Sequence, residues 1–557
     1  MQSVRATFKS FSFWLAAIFS AALLELPFPL AGPMPAWRSI FAWFGLAPLL
    51  WAVLAAAPAA QKPLKKGFLL GYLTGVLWYM GNCYWVRDTM MQYGDMPPLA
   101  PELLLLGFSL VLGTYVGIFA LALGWLRQRT GGVKWPLLAA PFLWTALELA
   151  AARITSVPWD QLGYSQVDNQ FINPLATVTG VYGISFLLVA ANALLAYVRL
   201  SGFDFLRNGK KLGKRELALA AGVLAVPVLM NSYLVFGPAP APATASAVLV
   251  QPNLDVGGEG LWNRPGEWDA HARRFVRFAA TPCKSYIAGI PESGAPTGEI
   301  VCPPYATHPD LVVWPESPAP YFEDDPRLQQ MIATLARQSQ AASVIGSIGV
   351  EVDKSGGENE LREYNSALVA TAQGVRVGRY DKIHLVPFGE YVPFQKLLFF
   401  ARKLTGKVSR FDRGSAHKTF VLDGHRYGVF ICYEAVFADE VREFAAQGAE
   451  ALVNISDDAW YGDTSAPWQH LNMARMRAVE NRRWILRDTN NGVTAAIDPY
   501  GRVRQSIPRH VEDALPAQYG FRREVTFYAA HGDVFAWICV LLSLGALGYA
   551  ARRPQAA

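Results

Sequence analysis

Charged residues are scarce in this sequence. Asp, Glu, Lys and Arg together make up 17% of the 557 residues, apolar residues make up 52%, and the formal net charge is +6. The basic residues lie mainly in short loops between apolar runs, with no basic stripe interleaved with aromatic residues. Nucleic-acid binding is therefore not predicted, because it needs a continuous basic surface. Basic loops between apolar runs are instead typical of membrane proteins.

Cysteine is also scarce, and the spacing of the cysteines gives no indication of a metal site. The chain has five cysteines and no CxxC or Cys/His cluster, so no metal site is predicted. Cys83 and Cys539 lie in apolar runs, where we expect inert packing. Cys283 and Cys302 could close a loop as a disulfide, or could stay as two free thiols. Cys432 stands alone in the sequence.

Long apolar runs are abundant in the first two fifths of the chain and recur once at the C-terminus. A membrane-spanning helix needs about 20 such residues. Eight segments meet this requirement, near 10–30, 36–57, 67–86, 101–126, 134–152, 174–198, 216–236 and 532–551. We expect the first to be retained in the mature protein, because it lacks a clear small-residue cleavage site and another span follows almost at once.

The basic residues of the short loops predict the orientation of these spans. With the N-terminus in the cytoplasm, the outer short loops hold only Arg38, Arg87 and Arg153. The long segment between the last two spans then lies outside the cytoplasm, which is the periplasm in a bacterium with two membranes. One outer loop, at 157–166, is rich in aromatic and amide residues. It could be an interfacial anchor or the floor of a site that faces the membrane.

The chain therefore divides into three predicted parts. Residues 1–237 form a seven-span region, 244–525 form a soluble domain, and 530–557 form the eighth span with a short cytoplasmic tail. Alternating Pro and Ala near 238–242 predict an extended linker between the first two parts. In the soluble part, short apolar strands such as 311–314 and 366–371 alternate with helical stretches such as 326–340, which predicts an α/β layered domain. The stretch at 326–340 places Leu328, Ile332 and Leu335 on one helical face.

Three segments of this domain place a reactive residue at the end of an apolar strand, namely Glu316, Lys382 and Cys432. A thiol is mostly protonated at neutral pH, so a nucleophilic cysteine needs a base or a nearby cation. Glu316 could serve as the base, while Lys382 could favour the thiolate and then, with the backbone N–H of Tyr433, stabilise an oxyanion. For His384 we predict a supporting role. Each residue taken singly has an ordinary structural explanation, so the hypothesis depends on the three together.

These segments resemble the signature segments of the nitrilase, or carbon–nitrogen hydrolase, superfamily. They read WPES at 314–317, YDKIHLVPFGEYVP at 380–393 and ICYE at 431–434. With further stretches at 163–166, 454–463, 469–480 and 489–494, and with the number of spans, nearly the whole chain is similar to the membrane-bound apolipoprotein N-acyltransferases. The resemblance implies an α/β nitrilase-like αββα sandwich on an α-helical bundle of eight transmembrane helices.

The resemblance also implies roles for individual residues. Cys432 would be the nucleophile, Glu316 the general base and Lys382 the catalytic lysine, with no metal and no cofactor. Supporting residues would be Glu390, Tyr433 and Glu434. Residues that could bind substrate are Trp262, Trp268, Leu397, Phe399, Phe400, Trp460 and Tyr461. The choice between the two early tryptophans stays open, and the apolar segment at 391–403 is either a lipid contact or a buried core helix.

The implied reaction is a two-step, ping-pong acyl transfer that completes lipoprotein maturation. A phospholipid would donate a fatty acyl chain to Cys432 as a thioester. The N-terminal α-amine of a diacylglyceryl-cysteine apolipoprotein would then accept it. The expected partners are these two substrates and membrane lipids, and the chain is expected to be a monomer in the bacterial inner membrane. Alternatives are a membrane-tethered nitrilase-type amidase, or a silent scaffold or transporter-like protein, which the intact Glu316, Lys382 and Cys432 disfavour.

Overall fold

The computed structural model of the chain describes residues 2–56, 62–94, 96–208, 241–254, 256, 308–316, 322–353, 360–387, 389–391 and 411–553. Several predictions concern residues outside these ranges and stay predictions. They are the seventh span near 216–236, the Cys283–Cys302 pair, Trp262, Trp268, Leu397, Phe399 and Phe400.

The N-terminal part of the chain is a bundle of helices. They are α1 Gln2–Glu25, α2 Ala47–Ala56, α3 Pro63–Asn82, α4 Trp85–Tyr93, α5 Ala100–Thr130, α6 Lys134–Ala150, α7 Ala176–Thr179 and α8 Val181–Asn208. The predicted span near 174–198 is divided at Gly180, whose φ of +63° ends α7 before α8 begins. A Cβ atom at Gly180 would also lie 2.5 Å from the Tyr528 ring, so both the backbone and the packing favour glycine there.

Five helical segments in the described ranges are long and apolar enough to cross a membrane. They are Ala36–Ala56, Ala100–Thr130, Lys134–Thr155, Val181–Ser201 and Val534–Ala551. Helix α1 adds a shorter apolar stretch, Phe11–Glu25. Helix α3 has 20 residues, but Lys65 and Lys66 lie in its first turn and it ends at the buried Asn82. These helices identify a membrane protein.

Small residues let α3 and α5 approach each other closely. A Cβ atom on Gly71 would lie 2.4 Å from the Cβ of Ala120, and one on Gly75 would lie 2.9 Å from the Cα of Gly113. Neither site can hold a larger side chain unless the helices move apart. Because lipid tails are as apolar as the helices, such backbone contact is a main source of association inside a membrane.

The C-terminal part of the chain contains two six-stranded sheets. The first has the order β12-β1-β2-β3-β4-β5, and its strands are β1 Ala245–Gln251, β2 Leu311–Trp314, β3 Ala342–Asp353, β4 Glu360–Ala370, β5 Arg376–Asp381 and β12 Asp513–Tyr519. The second has the order β11-β10-β9-β8-β7-β6, and its strands are β6 Thr419–Leu422, β7 His425–Ile431, β8 Ala451–Ser456, β9 Ile485–Thr489, β10 Ala495–Ile497 and β11 Val503–Ser506.

Alternating side chains pack the two sheets between layers of helix. Leu249 and Val313 face the second sheet, whereas Val248 and Val312 face α9, Pro326–Ser339. The predicted helical face of Leu328, Ile332 and Leu335 is buried there, as expected. On the other side, the second sheet packs against α10, Ala438–Ala446, and α11, Ala466–Asn481. The result is an αββα sandwich, which is the nitrilase-like fold that the resemblance implied.

The sandwich shares a hydrophobic core with the membrane bundle. Tyr433, Phe437 and Tyr461 belong to the same buried cluster as the bundle side chains. Polar bonds reinforce this junction, because Gln469 Nε2 donates to the backbone oxygens of Pro29 and Asn82 at 3.1 and 3.0 Å. The chain then returns through α12, Phe527–His531, to the last apolar helix, α13, Val534–Ala551.

Candidate functional site

Two glutamates share one buried lysine where β2 and β5 end. Lys382 Nζ lies 3.0 Å from Glu316 Oε1 and 3.0 Å from Glu390 Oε1. The lysine is only 1% exposed, and both glutamates are buried. Burial alone would lower the pKa of Lys382, but the two carboxylates hold it well above its usual range. The lysine is therefore a permanent ammonium group between the predicted base and the predicted supporting glutamate.

Asn365 lies at the centre of this cluster, although the sequence gave no sign of it. Its Nδ2 donates to Glu316 Oε1 and to Glu390 Oε1, both at 2.6 Å, and its backbone oxygen accepts from Lys382 N at 2.8 Å. A further donor, the backbone N–H of Asp457, reaches Glu316 Oε2 at 2.9 Å. Both oxygens of Glu316 are thus fixed, which orients its carboxylate.

Cys432 stands at a strained turn directly after β7. Its φ is +48°, a left-handed value that costs free energy for a residue with a side chain, and a 3₁₀ turn Cys432–Val436 follows. Glu434 stabilises this turn, since its Oε2 accepts from Ile431 N at 2.7 Å. Its Oε1 accepts from Ile383 N at 2.6 Å and from the Tyr380 hydroxyl at 2.8 Å. Glu434 thereby joins the cysteine turn to the loop that carries Lys382.

The surroundings of Cys432 favour the protonated thiol over the thiolate. Burial raises its pKa well above the usual range, and the charge of Glu316 raises it further, while Lys382 opposes both. Lys382 acts in the direction predicted from the sequence, since it lowers the pKa of Cys432, but its effect is smaller than that of burial. The reason is desolvation, which disfavours the charged form of a buried thiol. A base must accept the proton when the sulfur reacts.

A second buried network supports the backbone of Cys432. His470 Nε2 lies 3.0 Å from the Cys432 carbonyl oxygen, and His470 Nδ1 lies 3.0 Å from Asp458 Oδ1. Arg487 Nη2 donates to Asp458 Oδ2 at 2.7 Å. Burial lowers the pKa of His470, whereas the nearby Asp458 carboxylate opposes that shift. Because a carbonyl oxygen can only accept, His470 Nε2 carries a proton and donates it to the Cys432 carbonyl. Sequence reasoning matched Asp458 and His470 to family segments but assigned them no role, and Arg487 lies outside those segments.

Aromatic residues form the wall between Cys432 and the bundle. The Tyr433 hydroxyl donates to Ser156 O at 3.0 Å, and the Tyr433 ring stacks on Trp159 with centroids 6.4 Å apart. Tyr461 is buried, with its ring 6.0 Å from that of Trp159. Trp460, by contrast, is 45% exposed and packs edge-on against Tyr93 at 5.1 Å. The outer loop at 157–166 therefore lies directly under the site.

His384 lies at the edge of this wall, with its ring 6.0 Å from that of Tyr433. Its Nδ1 lies 2.9 Å from Glu440 Oε1, and its ring stacks on Phe437 with centroids 3.5 Å apart. This arrangement fits the supporting position predicted from the sequence. It gives His384 a carboxylate partner on α10, not a place in the Glu316–Lys382–Glu390 cluster.

Comparison with known proteins covers both parts of the chain. The family model "Apolipoprotein N-acyltransferase N-terminal domain" matches residues 20–194, and the model "Carbon-nitrogen hydrolase" matches residues 297–518. An apolipoprotein N-acyltransferase of Geobacter metallireducens is 34% identical, covering 95% of this chain and 93% of its own length. The chain belongs to the apolipoprotein N-acyltransferase family. An apolipoprotein N-acyltransferase of Allorhizobium ampelinum, 30% identical over 96% and 94% of the two chains, agrees with this assignment.

Solved structures of the nitrilase superfamily show a distant likeness to about half of the chain. The crystal structure of Saccharomyces cerevisiae Nit3, a member of the nitrilase superfamily, is 16% identical and covers 51% of this chain and 93% of its own, with a TM-score of 0.33. The fold assignment therefore rests on the two sheets of this chain and on the family models. The family resemblance predicted from the sequence is confirmed.

Proposed function

We propose that the chain transfers a fatty acyl group from a phospholipid to the N-terminal α-amine of a diacylglyceryl-cysteine apolipoprotein. The observation that carries this proposal is the buried Glu316–Lys382–Glu390 cluster, joined through Glu434 to the Cys432 turn, in a chain of this family. Relatives named for acyl transfer match nearly the whole chain, including the bundle, which favours transfer over the amidase alternative.

In the first step, Cys432 attacks the ester carbonyl of the phospholipid. Glu316 takes the thiol proton as the sulfur–carbon bond forms, because the resting thiol is protonated. The ammonium group of Lys382 and the backbone N–H of Tyr433 stabilise the negative charge on the carbonyl oxygen. The ester C–O bond then breaks, and Glu316 returns the proton to the leaving alkoxide. The products are a lysophospholipid and a Cys432 thioester.

In the second step, the α-amine of the lipoprotein attacks the thioester. Glu316 accepts a proton from the amine, and the carbon–sulfur bond breaks as the amide forms. The proton then returns to the Cys432 thiolate, which restores the resting enzyme. Both steps use the same base, which is why both oxygens of Glu316 need fixed partners, namely Lys382, Asn365 and the backbone of Asp457.

The membrane setting belongs to the same proposal. Eight spans, with residues 1–237 and 530–557 in the bacterial inner membrane and 244–525 in the periplasm, would hold the site above the outer leaflet. The basic inner loops support this orientation. The apolar segment with Leu397, Phe399 and Phe400 would contact lipid, and Trp262 or Trp268 would contact a substrate.

Intact mass spectrometry tests the proposal. The purified protein incubated with phospholipid should gain the mass of one fatty acyl chain, and a diacylglyceryl lipopeptide should remove it and appear N-acylated. Cys432→Ala should abolish the adduct, whereas Cys539→Ala, in the last apolar helix, should keep it. A normal adduct on Cys432→Ala would refute the nucleophile assignment. Release of free fatty acid alone, with no acylated peptide, would support hydrolysis instead.

A further inference from the structure

Three arginines from different elements surround the ring of Tyr500. The guanidinium carbons of Arg482, Arg502 and Arg522 lie 4.8, 4.9 and 5.9 Å from its centroid. Arg482 follows α11, Arg502 precedes β11, and Arg522 follows β12. We call these four residues the Tyr500 arginine cluster. The face of an aromatic ring attracts cations, but cations this close together also repel one another.

The carboxylates near the cluster neutralise only part of its charge. Arg502 Nε pairs with Asp498 at 2.7 Å, and Arg522 Nη1 pairs with Glu524 at 2.5 Å. Arg482 donates to the backbone oxygen of Pro499 at 3.1 Å, and it has no carboxylate within ion-pair distance in the described part of the chain. Burial lowers the pKa of Arg482, in keeping with a charge that lacks a close counter-ion. An anion between the arginines would relieve this repulsion.

The cluster is bonded to the loop that leads into the membrane. Gln170 Nε2 and Asn173 Nδ2 both donate to the backbone oxygen of Tyr500, at 3.1 and 3.2 Å. The apolar helix α8 begins a few residues later, at Val181. The cluster therefore lies close to the level at which the bundle meets water.

Exposed apolar side chains mark that level on both sides of the cluster. Phe171 is 60% exposed and Val178 is 48% exposed, just before α8. Val525 and Phe527, between Arg522 and the apolar helix α13, are 47% and 49% exposed. Such side chains are stable against lipid and costly against water. An apolar rim beside a basic cluster is the pattern of a surface that rests in the headgroup region.

We propose that the Tyr500 arginine cluster binds the headgroup of an anionic phospholipid. A phosphate diester offers oxygens that match the planar guanidinium donors. A zwitterionic headgroup would add an ammonium or choline cation next to three arginines, which disfavours it. The cluster is not part of the proposed acyl-transfer machinery, so a lipid bound here anchors the sandwich to the membrane surface without being a substrate.

Native mass spectrometry of the full-length protein in detergent tests this site. The probes are ether-linked phosphatidylglycerol and ether-linked phosphatidylcholine, which cannot donate an acyl chain. We expect phosphatidylglycerol to bind more tightly than phosphatidylcholine, and each of Arg482→Gln and Arg522→Gln to weaken its binding about fivefold. Arg482→Lys keeps the charge but loses the planar donor pair, so its binding should lie between that of the parent protein and that of Arg482→Gln. Arg337→Gln, on the outer helix α9, is the matched control.

Either of two results would overturn the proposal. One is equal binding of the two lipids by the parent protein. The other is a loss of phosphatidylglycerol binding in Arg482→Gln no larger than in Arg337→Gln. Acyl transfer in detergent should be unchanged in Arg482→Gln, which also shows that the variant is folded.

Discussion

The candidate site has two halves. The half that follows the second sheet, with Cys432, contacts the membrane bundle, whereas the half that follows the first sheet, with Glu316 and Lys382, is held mainly by polar contacts among its own residues. Cys432 is held by His470 and Glu434, and its neighbour Tyr433 packs in the bundle core. Glu316 and Lys382 are instead held by each other and by Asn365. The proposed nucleophile is therefore held by hydrogen bonds and packing, whereas the proposed base is held mainly by a neighbouring charge and a shared donor.

This difference has a measurable consequence. Changes in the half with Glu316 should reduce activity more than stability, because they misplace the proposed base, while an unpaired carboxylate in the cluster can take up a proton and lose its charge. Changes in the half with Cys432 should reduce both activity and stability, because the hydrogen bonds there hold side chains that pack in a buried core. The following substitutions test that difference, from the largest expected effect to the smallest.

Asn365→Ala should reduce kcat about 100-fold, the size of effect expected when a catalytic group is misplaced by a small distance. The variant lacks the donor shared by Glu316 and Glu390, so their carboxylates repel each other and reorient. Steady-state kinetics and a thermal melt should be measured together. Asn472→Ala, on α11, is the control and should be nearly as active as the parent. A fall in Tm for Asn365→Ala larger than that for His470→Leu would contradict the proposed difference between the two halves.

His470→Leu should lower Tm by roughly 5 °C and reduce kcat about tenfold. Leucine cannot donate to the Cys432 carbonyl and leaves Asp458 with one buried partner fewer. His470→Gln, whose amide can place a donor near the same position, should recover most of the activity. If Gln were no better than Leu, the hydrogen bond to Cys432 would not be the function of His470.

Asp457→Asn should change how stability depends on pH. Burial, together with the charge of Glu316, raises the pKa of Asp457 to about 8 in the folded protein, against a usual value near 4. The folded state therefore binds more protons than the unfolded state between about pH 4 and pH 8, so this group's contribution to stability falls as pH rises through that window. Thermal melts from pH 5 to pH 8 should decline less steeply for Asp457→Asn. Equal slopes would show that Asp457 does not titrate there.

The sequence predicted the site residues that follow strands, but not the residue at the centre of the site. Glu316 and Cys432 each follow a short apolar strand, and β2 was placed at its observed bounds, Leu311–Trp314. The expectation of an apolar strand before Lys382 was wrong, because β5 is largely polar and partly exposed. Asn365 lies in the middle of β4 and was missed, because a polar residue inside a strand has no distinguishing pattern. The first half of β4 was missed as well, since it is polar and is stabilised by its pairing with β3, not by burial.

The support beneath Cys432 could not be predicted for a different reason. His470, Asp458 and Arg487 come from α11, from the turn after β8 and from β9, and only the packed sandwich brings them together. The sequence predicted the direction in which Lys382 shifts the pKa of Cys432, but not the larger opposing effect of burial. A spacing in the sequence suggests which charges are near a thiol, but it carries no information on how far the thiol is removed from water.

The core that Tyr433 and Phe437 share with the bundle fixes Cys432 at one height above the apolar helices. The ester bonds of all common glycerophospholipids lie at nearly the same depth below their headgroups. A nucleophile held at a constant height can react only with an ester carbonyl that reaches that height. Headgroup chemistry should then matter less to the first half-reaction than how readily a lipid can be lifted partly out of the bilayer.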